Sequence, residues 1–297
     1  MGVGKDIWRI GIVRAPAGEI AAGGLEGRDV AWLDPGAPFT FLADPFGVWR
    51  DGRLHLFAEA YDYRTRRGVI DHVAFDGDFR LIARRTVLAE PWHLSYPFVF
   101  EAEGETWLLP EAHRSGTLTL YRAAEFPHRW EPVARLALDT PAIDATPFRH
   151  EGRWWLAYSP DGGQAEKQGR LHLAFAERLT GPWTPHAGNP VRVDRTSARP
   201  GGTPLMLDGA LHLAVQDCGR TYGGAIRLLR IDALSPERFV AEAGPAIGPP
   251  AAAAPYVDGL HTLAACGPVT LIDVKRIDRS PAGLWVDVQR RLQGARR

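Results

Sequence analysis

The sequence predicts an all-β protein, a single five-bladed β-propeller with four short antiparallel strands per blade. Three observations predict it. A turn glycine followed by an apolar strand occurs five times, as Gly52 with RLHLFAE, Gly104 with ETWLLPE, Gly152 with RWWLAYS, Gly209 with ALHLAVQ and Gly259 with LHTLAAC. These copies are spaced 52, 48, 57 and 50 residues apart. Each is preceded by a proline (Pro45, Pro97, Pro147, Pro204, Pro255) and followed by another glycine and an alternating strand beginning at Gly68, Gly116, Gly169, Gly224 or Gly267. Period-two alternation is a strand signal, and a period near 50 residues marks a propeller blade.

The first copy is the most acidic. Ala43-Asp44-Pro45-Phe46 leads through the Asp51-Gly52 turn to a second strand ending in Glu59. A fourth strand, weaker in pattern, follows in most copies, as at residues 81–88. Outside the repeats, Asp6–Arg14 and Gly283–Leu292 both read as strands, and either suits the outer place of the last blade. The expected organisation is therefore one domain over 1–297. Residues 1–40 supply an N-terminal strand and loop packing on the last blade, and residues 41–292 supply the five repeats. Residues 15–29, rich in Ala and Gly, read as a surface loop. No amphipathic helix is expected beyond one short turn at Leu234–Phe239, and the tail Gln293–Arg297 reads as frayed.

Composition narrows the function classes. The 297 residues are 45% hydrophobic and 24% charged, enough for a sizeable core. Lys+Arg and Asp+Glu balance at 35 each, so no global basic field points to nucleic acid. No stretch approaches a membrane span, and the N-terminus lacks a signal-peptide apolar core; a cytoplasmic protein is expected. Cys218 and Cys266 are the two cysteines, compatible with a reducing compartment or with one bridge. Ten tryptophans supply core filling, with sugar stacking for any that reach a pocket.

In a propeller, equivalent ends of the inner strands converge on one axis. Seven residues past each turn glycine stand Glu59, Glu111, Ser159, Gln216 and Cys266. Before each landmark proline stand Asp44, Tyr96, Thr146, Thr203 and Ala254. These predict a polar axial funnel, the usual place for a propeller ligand. Asp44, Glu59, Glu111, Asp144 and Asp217 are its candidate carboxylates, and two carboxylates in one pocket can divide acid and base work. His93, His113, Arg199 and His261 enter as candidate binding residues. HExxH, paired CxxC, P-loop, GxSxG and strand-borne GxGxxG motifs are absent from the sequence, so no metal and no cofactor are expected.

Two resemblances add to this reading. The landmarks Ala43-Asp44-Pro45-Phe46, His93-Leu94-Ser95-Tyr96-Pro97, Pro110-Glu111, Leu120–Ala123, Phe126-Pro127 with Trp130, and Ser197-Ala198-Arg199-Pro200 form one set. With Gln216-Asp217-Cys218, Tyr222-Gly223 and His261-Thr262, it resembles the N-terminal propeller domain of glucosamine inositolphosphorylceramide transferases. That resemblance implies a glycan or glycolipid setting and a separate glycosyltransferase partner. More distantly, Ala43-Asp44-Pro45 and Ala142-Ile143-Asp144-Ala145-Thr146-Pro147 resemble segments of five-bladed glycoside hydrolases of the family 43 type. There they imply a general base at Asp44 and an orienting aspartate at Asp144. Gly202 stands where that family places its general-acid Glu, and Glu111 or Asp217 is the substitute.

The leading expectation is a carbohydrate-active enzyme that cleaves, transfers or rearranges a glycosyl-type substrate. Asp44, Glu111 and Asp144 are its catalytic candidates, with Glu59, His93, Tyr96, His113, Arg199, Gln216, Asp217 and His261 binding a small-molecule or glycan substrate. One alternative is a non-catalytic glycan-binding propeller working with a separate transferase. The other is a natural-product pathway enzyme on a glycosidase-like scaffold.

Overall fold

The computed structural model describes residues 4–294. Five small antiparallel sheets form a five-bladed β-propeller. Blade one runs from the inside outward through Thr40–Arg50, Arg53–Asp62, Arg67–Phe75 and Leu81–Leu88. Blade two follows with Ser95–Ala102, Glu105–Glu111, Leu118–Glu125 and Arg129–Leu136. Blade three has Ala142–His150, Arg153–Pro160, Arg170–Ala176 and the short Thr184–Pro185, with Arg192–Val193 pairing further along its third strand. In blade four the inner strand is broken into Arg199–Pro200 and Leu205–Leu207, followed by Ala210–Asp217, Ala225–Leu234 and Phe239–Ile247.

The inner hairpins of blades one to four share one turn chemistry. Asp51-Gly52, Glu103-Gly104, Glu151-Gly152 and Asp208-Gly209 each place two consecutive residues at positive φ. That is the geometry of a two-residue type I′ turn, whose twist matches that of the flanking strands, and it explains the recurring turn glycine. The apolar alternation then fills the space between blades. Leu54, Leu56, Phe57 and Ile70 of blade one and Leu108 of blade two are fully buried, as is Leu156 of blade three.

Blade five departs from the expected register. Its inner strand is Gly259–Cys266, and the turn glycine is Gly267, so Val269–Asp278 is the second strand. The copy at Gly259 is thus offset by one strand. Cys266 sits at the far end of the axis instead of the polar end, and Ala254 lies in the preceding loop. The third and fourth places are taken by the N-terminal strands Lys5–Val13 and Val30–Trp32. The ring is therefore closed by pairing Lys5–Val13 with Val269–Asp278 along nine residues of register.

Three segments differ from expectation. Residues 283–292 belong to a helix, α3 (Pro281–Gly294), because the N-terminal strands already fill the last blade and Pro281 presets the first helical turn. The segment 15–29 contains α1 (Ala17–Gly23), built on good helix formers and ended by Gly24 at φ 71. Leu234–Phe239 is a hairpin turn rather than a helical one. A further short helix, α2 (Gln164–Gly169), lies between the second and third strands of blade three. Of the tail read as frayed, Gln293 and Gly294 end α3, and residues 295–297 lie outside the described residues.

Ile12 on the closing strand is fully buried. Ile12→Ala should cost about 2–5 kcal/mol, as for other buried large-to-small changes, read as a lower urea midpoint with an unchanged slope.

Candidate active site

The register of the inner hairpins decides which residues meet at the axis. In blade one Ala43 pairs Glu59 and Phe46 pairs Phe57, so Asp44 and Pro45 bulge opposite Ala58. Blade two repeats this with Ser95 opposite Glu111 and a bulge at Tyr96. Blade three repeats it with Ile143 opposite Ser159, so its bulge falls at Asp144, two residues before the position expected from the proline alignment. Asp44, Tyr96 and Asp144 all take left-handed backbone, at φ 51, 43 and 51. A bulge of this kind interrupts the pleat and re-aims one side chain, at a cost in backbone strain. In blade four Arg199 faces Gln216, and in blade five His261 is the bulged residue.

These ends enclose a cavity of about 330 Å³. It is lined by Asp44, Glu59, His93, Ser95, Glu111, His113, Ile143, Asp144, Arg199 and Tyr222, with Gln164, Lys167 and Gln168 from α2. The floor is a hydrogen-bonded plug. The Tyr96 hydroxyl meets Thr146 Oγ1 at 2.9 Å, and the Gly202 amide donates to Tyr96 Oη at 2.9 Å. A Cβ on Gly202 would fall 1.8 Å from the Leu263 carbonyl oxygen. Position 202, two residues before the fourth landmark proline, therefore has no room for any side chain.

Asp44 is held by two hydrogen-bond donors, with a histidine close by. Tyr96 N–H donates to Oδ2 at 3.1 Å, Thr262 Oγ1 donates to Oδ1 at 3.3 Å, and His261 Nε2 lies 3.5 Å from Oδ1. Behind it, fully buried Asp273 accepts from the Asp44 amide at 2.9 Å and from the Thr262 amide at 2.9 Å, and meets His261 Nδ1 at 2.8 Å. Trp8 stacks on the His261 ring with centroids 3.6 Å apart. Burial lowers the His261 affinity for a proton, but Asp273 and Asp44 outweigh it and hold the imidazole above its ordinary range. Burial raises Asp44, and the His261 charge limits the rise.

Asp144 accepts from Arg199 Nε at 2.7 Å and from Gln216 Nε2 at 2.9 Å. Burial, with Glu111 and Asp44 nearby, pushes Asp144 up to about 8 against the pull of the guanidinium. Burial works against the Arg199 charge in turn, but Asp144 outweighs it and Arg199 stays cationic. The Arg199 guanidinium also lies over the Tyr222 ring, 5.1 Å from its centroid.

Glu59 and Glu111 share a ring position but not an environment. Burial would raise Glu111, yet the His113 hydrogen bond at 2.5 Å and the His113 charge hold it down at about 2. Among the described residues, the Glu59 carboxylate accepts no hydrogen bond. His93 Nε2 lies 3.7 Å from Oε1. His93 accepts the Gly68 N–H at Nδ1 at 2.8 Å, so its own proton sits on Nε2, and burial keeps it neutral with a pKa of about 4. No cation compensates Glu59. Burial, then Asp44 and Glu111, raise it well above the carboxylate range.

The structure thus brings Asp44, Glu59, His93, Glu111, His113, Asp144 and Arg199 to one cavity. Gln216 and His261 stand behind it as partners of Asp144 and Asp44, and Tyr96 lies in the floor. Asp217 is elsewhere, paired with Arg227 at 3.0 Å and capping a turn through the Gly219 amide. Lys167, Gln164, Gln168, Tyr222 and Asp273 were not among the expected site residues. The three α2 residues carry no periodic signal, and Asp273 is hidden by the offset of blade five. No Trp lines the cavity among the described residues; the aromatic wall is Tyr222. Asp44, His261 and Asp273 each offer a ligand atom within 4.8 Å of the others, a spacing that suits a cation. Their atoms are already committed to one another and to amide donors, so the set reads as a hydrogen-bonded relay rather than an open ligand cage.

A glutamate in the unfolded chain titrates near 4.5, whereas Glu111 titrates near 2. Its stabilising contribution is therefore complete above about pH 4.5 and is lost as pH falls from 4.5 toward 2. Glu111→Gln should flatten the fall of the urea midpoint across that window relative to the parent protein.

Comparison with known proteins fits this architecture. A likeness of fold is shown with a family 117 glycoside hydrolase of the marine bacterium Zobellia galactanivorans, at TM-score 0.55 and 13% identity over 93% of this chain and 92% of that one. The catalytic domain of the family 62 α-L-arabinofuranosidase of Coprinopsis cinerea matches at TM-score 0.57 and 12% identity, over 85% and 95%. In sequence, glucosamine inositolphosphorylceramide transferase 1 of Arabidopsis thaliana is 38% identical over 213 residues, 70% of this chain and 28% of the relative. The Oryza sativa subsp. indica protein of the same name is 33% identical over 258 residues, 80% of this chain and 34% of the relative. The chain spans about a third of the length of these relatives. The family described as glucosamine inositolphosphorylceramide transferase 1, N-terminal, matches residues 29–245, and the chain belongs to that family.

Proposed function

We propose that the axial cavity is a carbohydrate site at which a glycosyl group is displaced, with Asp44 as base and Glu59 as acid. The observation that carries this reading is the unequal environment of two buried carboxylates in one cavity. Asp44 accepts hydrogen bonds from Tyr96 N–H and Thr262 with His261 3.5 Å away, whereas among the described residues Glu59 accepts none and faces only the neutral His93 at 3.7 Å. A carboxyl in the second situation keeps its proton near neutral pH, and pairs of this kind divide acid and base roles in glycoside chemistry.

In this mechanism Glu59 gives its proton to the departing glycosidic oxygen as the bond to the anomeric carbon breaks. Asp44 removes the proton from the incoming hydroxyl, of water or of an acceptor sugar, as the new bond forms. Asp144, fixed by Arg199 and Gln216, is positioned to hydrogen-bond the sugar ring and orient it between the two carboxyls. Tyr222 offers an apolar face for the ring, and Lys167 and Gln168 of α2 form a polar rim. The acid role, expected at Glu111, moves to Glu59 here because His113 keeps Glu111 ionised. The sequence relatives, named as glucosamine inositolphosphorylceramide transferases, support the substrate class.

A second reading is a glycan-binding propeller that serves a separate glycosyltransferase. The observation favouring it is that the matched region is about a third of the named relatives, which leaves transfer chemistry to the remainder of those proteins.

A panel of aryl glycosides separates the two. Asp44→Asn should abolish turnover of every substrate. Glu59→Gln should lower kcat by about 10²–10⁴ for poor leaving groups and by far less for dinitrophenolate, which departs without a proton. Absence of turnover by the parent protein across the panel, with sugars still bound, would support the binding module instead.

A further inference from the structure

The helix α3 is turned the wrong way round for a surface helix. Its inner face is formed by Gly283, Val286, Asp287 and Arg290, at helical spacing of three and four. That face is fastened to the propeller by an ion pair from Lys5 Nζ to Asp287 Oδ2 at 2.9 Å, and within the helix Arg290 Nη1 also reaches Asp287 Oδ1 at 2.9 Å. Its outer face carries Leu284, Trp285, Val288 and Leu292, which are 50%, 63%, 44% and 59% exposed. These four fall within one arc of about 100° around the helix axis. Amphipathic helices normally bury the apolar arc, and a contiguous exposed one marks a docking surface.

Charge says what covers it. Residues 279–297 contain five arginines, Arg279, Arg290, Arg291, Arg296 and Arg297, against one acid, Asp287. Asp287 is already neutralised by Lys5 and Arg290. The segment therefore offers an apolar arc led by a tryptophan within a strongly cationic stretch. This is the composition of helices that lie in the plane of an anionic lipid surface, with Trp at the headgroup level. A protein partner of matching shape would need its own acidic, apolar groove, whereas an anionic bilayer supplies both properties without one.

Position adds a consequence. The inner strands start at the cavity end, with Asp44 four residues into Thr40–Arg50 and His261 two residues into Gly259–Cys266. Val269–Asp278 runs antiparallel to Gly259–Cys266 and so leaves the ring at the cavity end, three residues before α3. Gly283 accordingly lies beside Phe39, the residue preceding the blade-one inner strand. The apolar arc and the mouth of the cavity thus belong to one end of the propeller.

We propose that α3 is a membrane-docking helix that seats the cavity end of the propeller on an anionic lipid surface. The whole protein should sediment with phosphatidylcholine vesicles containing phosphatidylglycerol, and not with phosphatidylcholine alone. Binding should weaken as salt is raised, because the charge term is screened. The double variant Trp285→Ser/Leu292→Ser should bind at least about tenfold more weakly, with unchanged circular dichroism. If that variant misfolds, Val288→Ser alone should show a smaller loss in the same direction. The proposal is overturned if the parent protein does not sediment with anionic vesicles, if neutral vesicles serve as well, or if the folded variants bind undiminished. A concentration-dependent dimer that the double variant abolishes, without vesicle binding by the parent, would assign the face to a second copy of the chain. Turnover of soluble aryl glycosides does not depend on α3, so these outcomes are independent of the reading of the cavity.

Discussion

Everything at the axis depends on one carboxylate, Asp44, and on the blades it joins. Its two oxygens reach Tyr96 N–H in blade two and Thr262 and His261 in blade five. Asp273 completes the tie by accepting from the Asp44 amide and from the amides of His261 and Thr262. The belt continues from Tyr96 to Thr146 and Gly202, and from Leu263 N–H to the Gly201 carbonyl at 2.9 Å. Asp144 joins blade three to blade four through Arg199 and Gln216. Polar groups taken out of water at these positions are satisfied by neighbouring blades, which is why such a charged axis is tolerated at all. The same hydrogen bonds orient the carboxylates, so framework and site are built from the same atoms. A substitution at Asp44 therefore touches the seam between three blades as well as any chemistry.

The blade count, the strand number and the polar axial cavity were legible in the sequence because each rests on repetition. Four turns with an acid before glycine at positive φ leave a mark that survives the divergence of everything around them. Position seven after the turn glycine places Glu59, Glu111, Ser159 and Gln216 at equivalent ends of the regular second strands. It failed at Cys266, because blade five starts one strand later and borrows its outer half from the N-terminus. Proline served less well as a landmark. In blade three it drew attention to Thr146, whereas the bulge falls at Asp144. The helices escaped notice for different reasons: α1 and α2 are too short for a period, and the apolar residues of α3 face away from the core.

The two glutamates show where sequence reasoning about roles has to stop. Glu59 and Glu111 occupy the same ring position with nearly the same neighbours in the repeat. What separates them is one histidine two residues downstream of Glu111, and another, His93, whose lone pair is taken by the Gly68 amide. Neither difference follows from a motif. Both follow from where a loop returns, and together they push the proton affinities of the two residues in opposite directions. The fourth blade adds no side chain at the corresponding point, since Gly202 is pressed against the Leu263 carbonyl.

The closing of the ring through Lys5–Val13 has a kinetic meaning. Lys5–Val13 finds its partner, Val269–Asp278, only after some 260 intervening residues have been made. Four blades can assemble from local hairpins, but the fifth is a contact of very long sequence separation, the kind that slows folding. Until it forms, the paired edges of Lys5–Val13 and Val269–Asp278 stand open as strand templates. The Asp44–Asp273–His261 seam uses the same strand, Val269–Asp278, that this closing pair joins. The propeller is in effect a bracelet whose clasp sits beside its site.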